Sequence, residues 1–120
     1  MRFAIVLLVL SGTAAASAAP AARSGDPTSH GGVVVAGSPN VLIGGRPAAR
    51  AGDFASCPLV QPGDPPVPHV GGPIATGAAT VLINGLPAAT AGSLVVEAAG
   101  PPSVIVLGAP TVVIGGSPAQ

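Results

Sequence analysis

Two histidines, His30 and His69, one cysteine, Cys57, and four acids, Asp26, Asp53, Asp64 and Glu97, are the groups of this 120-residue chain best suited to acid, base or metal chemistry. Three of them share one register. Gly25 leads to His30 in Gly-Asp-Pro-Thr-Ser-His, Gly52 to Cys57 in Gly-Asp-Phe-Ala-Ser-Cys, and Gly92 to Glu97 in Gly-Ser-Leu-Val-Val-Glu; each donor stands five residues past a glycine. Imidazole, thiolate and carboxylate are donors that zinc accepts in a tetrahedral shell. His69, in the Pro-rich stretch Pro58–Val70, is a fourth candidate. The spacing matches no zinc finger, so residue type and shared register carry the metal reading. A solvated histidine, a buried inert cysteine and a surface glutamate are the alternative. A zinc hydrolase is a further one, with three protein ligands, an open position and Glu97 as base. No nucleophile motif or second set of acids accompanies it.

The elements that must position these groups come from an internal repeat. One copy runs from Gly37 to Asp53 as Gly-Ser-Pro-Asn-Val-Leu-Ile-Gly-Gly-Arg-Pro-Ala-Ala-Arg-Ala-Gly-Asp. A second runs from Gly77 to Ser93 as Gly-Ala-Ala-Thr-Val-Leu-Ile-Asn-Gly-Leu-Pro-Ala-Ala-Thr-Ala-Gly-Ser. A third, from Gly108 to Ala119, is cut short, and its missing end stands at the front as Pro20-Ala-Ala-Arg-Ser-Gly-Asp26. Val41–Ile43, Val81–Ile83 and Val112–Ile114 are short aliphatic strands. Each precedes Gly-Gly or Asn-Gly, which accept the positive φ of a tight hairpin turn. Pro two residues later suits a strand edge or start. Second apolar runs, Val33–Ala36, Val70–Ala75 and Val104–Leu107, precede the three copies. The expectation is a small all-β body of three hairpin units with pseudo-threefold symmetry, in which equivalent positions converge on the axis. Asp26 and Asp53, in Gly-Asp pairs, cap their own backbone; Arg46 and Arg50, which follow the hairpin, read by default as solvated, with contact to acids or to a partner as the alternative.

Composition narrows the function. Hydrophobic residues make 48% of the chain and charged residues 7%, so the 18 glycines and 15 prolines do not imply disorder. With two phenylalanines and neither Trp nor Tyr, the core is aliphatic and thin. One cysteine excludes an internal disulfide, which leaves a metal or a partner as the staple. A net charge of zero, with no basic stripe and no aromatic platform, argues against nucleic acid. No basic amphipathic segment is present for a membrane surface. Residues 1–19 read as a signal peptide or an extension from an upstream start: Arg2, an apolar run Phe3–Leu10, and Ala16-Ser17-Ala18 as a small-residue cleavage site. Residues 20–120 then form the single domain.

Pro20-Ala-Ala-Arg23 and Pro47-Ala-Ala-Arg50, with the variant Pro87-Ala-Ala-Thr90, resemble the PAAR-repeat family. Gly25-Asp-Pro-Thr-Ser-His-Gly-Gly32 and Gly37-Ser-Pro-Asn-Val-Leu-Ile-Gly-Gly45 are similar to its opening phrases. The resemblance covers the chain from about Pro20 onward. It implies a cone-shaped β protein that caps and sharpens the trimeric valine-glycine repeat spike of a bacterial type VI secretion system or related contractile tail and helps attach effectors. It implies a structural protein rather than an enzyme, with one structural zinc near the apex. It also implies assembly in the cytoplasm, delivery outside the cell, and puncture of a target membrane rather than stable membrane binding. Carried over by position, His30, Cys57 before Pro58, and His69 match the family's ligands. Glu97 stands where the family usually has Cys or His, and Thr90 and Ser93 replace Arg and Asp. With no room for a toxin domain, the effector is expected as a separate chain. The alternative is an exported zinc-binding protein that reuses the fold; a cleaved N-terminus would favour it.

Overall fold

Residues 17–117 are described by the computed structural model. The leader thus lies outside the described residues up to position 16, as do Pro118–Gln120. The described residues form an all-β body with no helix. Its strands are β1 (Ser17–Pro20), β2 (Leu42–Ile43), β3 (Arg46–Pro47), β4 (Phe54–Gln61), β5 (Val67–Pro73), β6 (Ala78–Ile83), β7 (Leu86–Ala88), β8 (Leu94–Val95), β9 (Ser103–Val104) and β10 (Val113–Ser117). They pair antiparallel as β1–β10, β2–β3, β4–β5, β6–β7 and β8–β9.

Two hairpins turn as the dipeptides predict. Gly44 and Gly45 adopt φ of 59° and 83°, and Asn84 and Gly85 adopt 52° and 82°. Two successive positive φ values match the right-handed twist of the flanking strands. The third Gly-Gly does not turn: Gly115 and Gly116 run on inside β10, which pairs with β1. The register shows why. Val113↔Pro20 and Ile114↔Ala19 repeat Leu42↔Pro47 and Ile43↔Arg46 and Leu82↔Pro87 and Ile83↔Leu86. The front of the chain supplies the return strand of the third unit, so the permuted boundary is a physical closure between the two ends.

The symmetry axis is marked by a ring of backbone hydrogen bonds. Ala22 N–H donates to Ala89, Ala89 to Ala49, and Ala49 to Ala22, at 2.9, 3.0 and 3.0 Å. Backbones this close leave room at the centre for methyl groups alone, and all three alanines are fully buried. This is the physical content of the Pro-Ala-Ala phrase. The next layer is Val34, Ile74 and Ile105; their carbonyls accept from the closing Gly25, Gly52 and Gly92 at 2.7, 2.8 and 2.7 Å. Thr28, Ala55 and Val95 form the layer beyond. A fully buried branched aliphatic contributes about 1.5–3 kcal/mol, and Val34, Ile74, Val95 and Ile105 are among the largest fully buried side chains. Past the alanine ring, Ala48, Ile83 and Ala88 pack with Val41, Ile43, Val81 and Ile114 at the hairpin-turn end.

Candidate metal centre

Strand periodicity carries the donors inward. From each closing glycine the chain alternates, with side chains two apart on one face. Positions 26 and 28, 53, 55 and 57, and 93, 95 and 97 are buried, while 27 and 29, 54 and 56, and 94 and 96 are more open. Two residues beyond Thr28, Ala55 and Val95, the same inner face presents His30, Cys57 and Glu97. The shared five-residue offset is therefore one repeated strand path, and it ends where the aliphatic layers end.

His69 arrives differently. Gly72 on β5 and Ile74 just past its end are both buried, so a regular pleat would turn Val70 in and His69 out. The backbone reverses this phase. Val70 and Gly71 take φ of 69° and 111°, and the register shifts between Cys57 and Val60. Such a bulge re-aims a side chain. His69 is buried while Val70 is 54% exposed. Gly71 is required here, because a Cβ would overlap the Ala55 carbonyl. The Pro-rich stretch after Cys57 is thus a hairpin arm, β4–β5, that brings a fourth donor back over the other three.

The four candidate donors meet, each offering an atom within 4.8 Å of the others. Cys57 Sγ lies 3.6 Å from His30 Nδ1 and 3.5 Å from His69 Nδ1. Glu97 Oε2 lies 3.6 Å from His30 Nδ1. Tetrahedral zinc with N, S and O ligands at 2.0–2.3 Å places its donors about 3.4–3.6 Å apart. Glu97 is buried rather than superficial, and its Oε1 has no hydrogen-bond partner among the described residues. A buried carboxylate oxygen without a donor costs free energy unless a cation takes it up. Thiolate and carboxylate together would also neutralise a divalent cation, which suits a site with little solvent. The residues fit a metal ion.

Burial, chiefly, pushes the Cys57 thiol up, and Glu97 pushes it further, while a backbone hydrogen bond from Leu59 opposes them. In the metal-free chain the thiol therefore holds its proton, and a metal must displace it. Three supporting residues were not foreseen from sequence. Gln61 Oε1 accepts from His69 Nε2 at 3.3 Å, which leaves Nδ1 unprotonated toward Cys57. Ser103 Oγ donates to Glu97 Oε2 at 2.6 Å. Gly100, with φ of 82°, lies so close to the His69 ring that a Cβ would overlap it. Only the Gly-Pro punctuation near Gly100 hinted that this segment is a tight cover.

The PAAR motif family model matches residues 24–67 and 62–120. The chain belongs to the PAAR-motif family. No curated protein matches it significantly. The two PAAR segments overlap at 62–67, in the β4–β5 turn region. The first contains His30 and Cys57 and the second His69 and Glu97, so the four candidate donors are drawn from both segments.

Arg23 and Arg50 of the Pro-Ala-Ala-Arg phrases, and Arg46, pair with acids, which is the alternative to the default solvated reading of Arg46 and Arg50; the Arg46 side chain remains 43% exposed. Asp26 accepts from the Arg23 backbone N–H at 2.7 Å, as the capping reading expects, and pairs with the Arg23 guanidinium at 3.1 Å and Arg46 at 2.9 Å. Asp53 accepts from the Arg50 N–H at 2.8 Å and pairs with its guanidinium at 3.0 Å. The Asp53 hydrogen bond holds Arg50 more firmly charged. These arginines brace the closing turns.

Proposed function

We propose that this protein is a spike tip, seated on the blunt end of a trimeric valine-glycine repeat spike of a type VI secretion system or related contractile tail. The observation that carries the reading is the threefold body with unlike ends. One end holds the four-donor cluster. The other exposes Leu42, Leu82 and Val113, the same residue of each unit, at 61%, 60% and 57%. Three equivalent aliphatic positions suit a threefold platform, and covering them would shield apolar surface and strand edges. One structural zinc, held by His30, Cys57, His69 and Glu97, would tie the three strand ends where the aliphatic core stops. Four protein donors favour a structural over a catalytic ion, since catalytic zinc keeps an open position. The tip acts by shape and is assembled in the cytoplasm.

The test is co-purification with the spike encoded nearby. A complex of one tip to three spike chains is expected, abolished by Leu42→Arg, Leu82→Arg and Val113→Arg together. A monodisperse monomer that ignores the spike overturns the reading. An export reading has one observation in its favour. Cleavage after Ala18 would keep Val113↔Pro20 and Ile114↔Ala19, as many pairs as β2–β3 has. A cytoplasmic product beginning at Met1 favours the tip; a periplasmic product beginning at Ala19 favours export.

A further inference from the structure

The third unit departs from the other two at a pair of positions that touch. Two residues before the buried aliphatics Val34 and Ile74 stand Gly32 and Gly72. In both, a Cβ would overlap a carbonyl of the next unit, Ser56 and Val96 respectively. Two residues before Ile105 stands Ser103. Its hydroxyl points to the group that the third unit brings to the metal centre, donating to Glu97 Oε2 at 2.6 Å, with both side chains buried. Ser103 is 1% exposed, and its hydroxyl has no other hydrogen-bond acceptor among the described residues.

We propose that Ser103 is the positioning residue for Glu97, so that carboxylate and serine work as one unit. The inference rests on the metal reading above. A glutamate has more rotatable bonds than a cysteine or histidine and two equivalent oxygens. By itself it can turn away or swing to chelate. The Ser103 hydroxyl occupies one lone pair of Oε2 and holds the carboxylate against His30 while Oε1 stays free. Hydrogen bonds that orient a ligand typically change metal affinity by about 10–100-fold. A glycine at 103 could make no such bond, so a carboxylate at 97 and a hydroxyl at 103 form a matched pair.

The experiment is zinc competition against a chromophoric chelator, with the full chain carrying Ser103→Ala, Ser103→Gly, Glu97→Ala, or each Ser103 change combined with Glu97→Ala. Ser103→Gly guards against misfolding, since glycine serves at the two equivalent positions. Expected is one zinc per chain throughout, with Kd raised about 10–100-fold by either Ser103 change alone and by nothing further in the Glu97→Ala background. The cobalt-loaded form should show altered visible bands in the single Ser103 variants. Wild-type chain that binds no zinc overturns the metal reading and this inference with it. Wild type that binds zinc while both Ser103 variants match it overturns this inference alone. An equal loss in the Glu97→Ala background also overturns it, because Ser103 would then act through the fold and not through Glu97.

Discussion

The closing turns of the first two units and of the third make the same bond with different chemistry. In units one and two an aspartate accepts from the backbone N–H three residues earlier and also binds arginine. In unit three Ser93 Oγ accepts from Thr90 N–H at 2.9 Å with no ion pair. The turn thus requires an acceptor of short reach at one position; the charge is an addition. A second contrast lies at the four-donor end, where Gly32 and Gly72 pack on the backbone of Ser56 and Val96, while the equivalent Ser103 binds the Glu97 carboxylate. Equivalent backbone geometry tolerates unlike side chains as long as each hydrogen-bonding role is filled.

The largest effect on this comparison should come from removing a donor that unlike units share. Structural zinc can contribute about 10 kcal/mol or more of apparent binding energy in small domains. Cys57→Ser should therefore abolish zinc by elemental analysis and lower Tm by more than about 10 °C, and His30→Ala and His69→Ala should follow it. Equal melts for wild type and Cys57→Ser would remove the metal staple from the fold.

Glu97 should change sign with the metal. Glu97→Ala weakens zinc binding less than the histidine or cysteine changes, because a water can replace one oxygen. In chelator the same change, combined with Ser103→Ala so that no buried hydroxyl is left without its acceptor, removes a buried carboxylate with an unpartnered oxygen, a penalty of about 1–3 kcal/mol. Thermal melts with and without chelator should therefore move in opposite directions.

A smaller difference separates the closing turns. Asp26→Ala leaves two guanidinium partners and a backbone N–H without their acceptor, and should cost about 2–4 kcal/mol in a denaturant titration. Ser93→Ala loses one neutral cap and should cost about 1 kcal/mol. Equal costs would mean that the arginines contribute nothing beyond the turn.

The smallest effect concerns pH. In the metal-free chain burial raises the Cys57 pKa above its ordinary value of 9.0. A group whose folded pKa is raised gives stability that is full below the unfolded value and lost as pH rises through the folded one. Melting of chelated protein should fall above pH 9, and Cys57→Ser should flatten that fall. The zinc-loaded protein should behave oppositely on the acid side, losing metal as its ligands take up protons.

Much of this was legible in order along the chain. The repeat, the turn dipeptides, the Pro-Ala-Ala phrase and the five-residue offset follow from short-range rules, because strand alternation and positive φ are local properties. They placed His30, Cys57 and Glu97 in equivalent positions before any contact was known. What only the tertiary structure decided depends on chain segments far apart. The third Gly-Gly reads locally as a turn, yet β1 takes the return strand's place and β10 runs on through it, with a register shift between Ile114 and Ser117. His69 could be suspected by residue type, but its inward aim needed the Val70–Gly71 phase reversal, and that reversal is set by how the arm folds back over Ala55. Gln61 and Ser103 carry no local signature and Gly100 only its Gly-Pro punctuation, since each matters through a side chain elsewhere in the chain. A hydrogen bond between Ser103 and Glu97 exists because two strand ends of the third unit meet, and no spacing rule along the sequence reports that meeting.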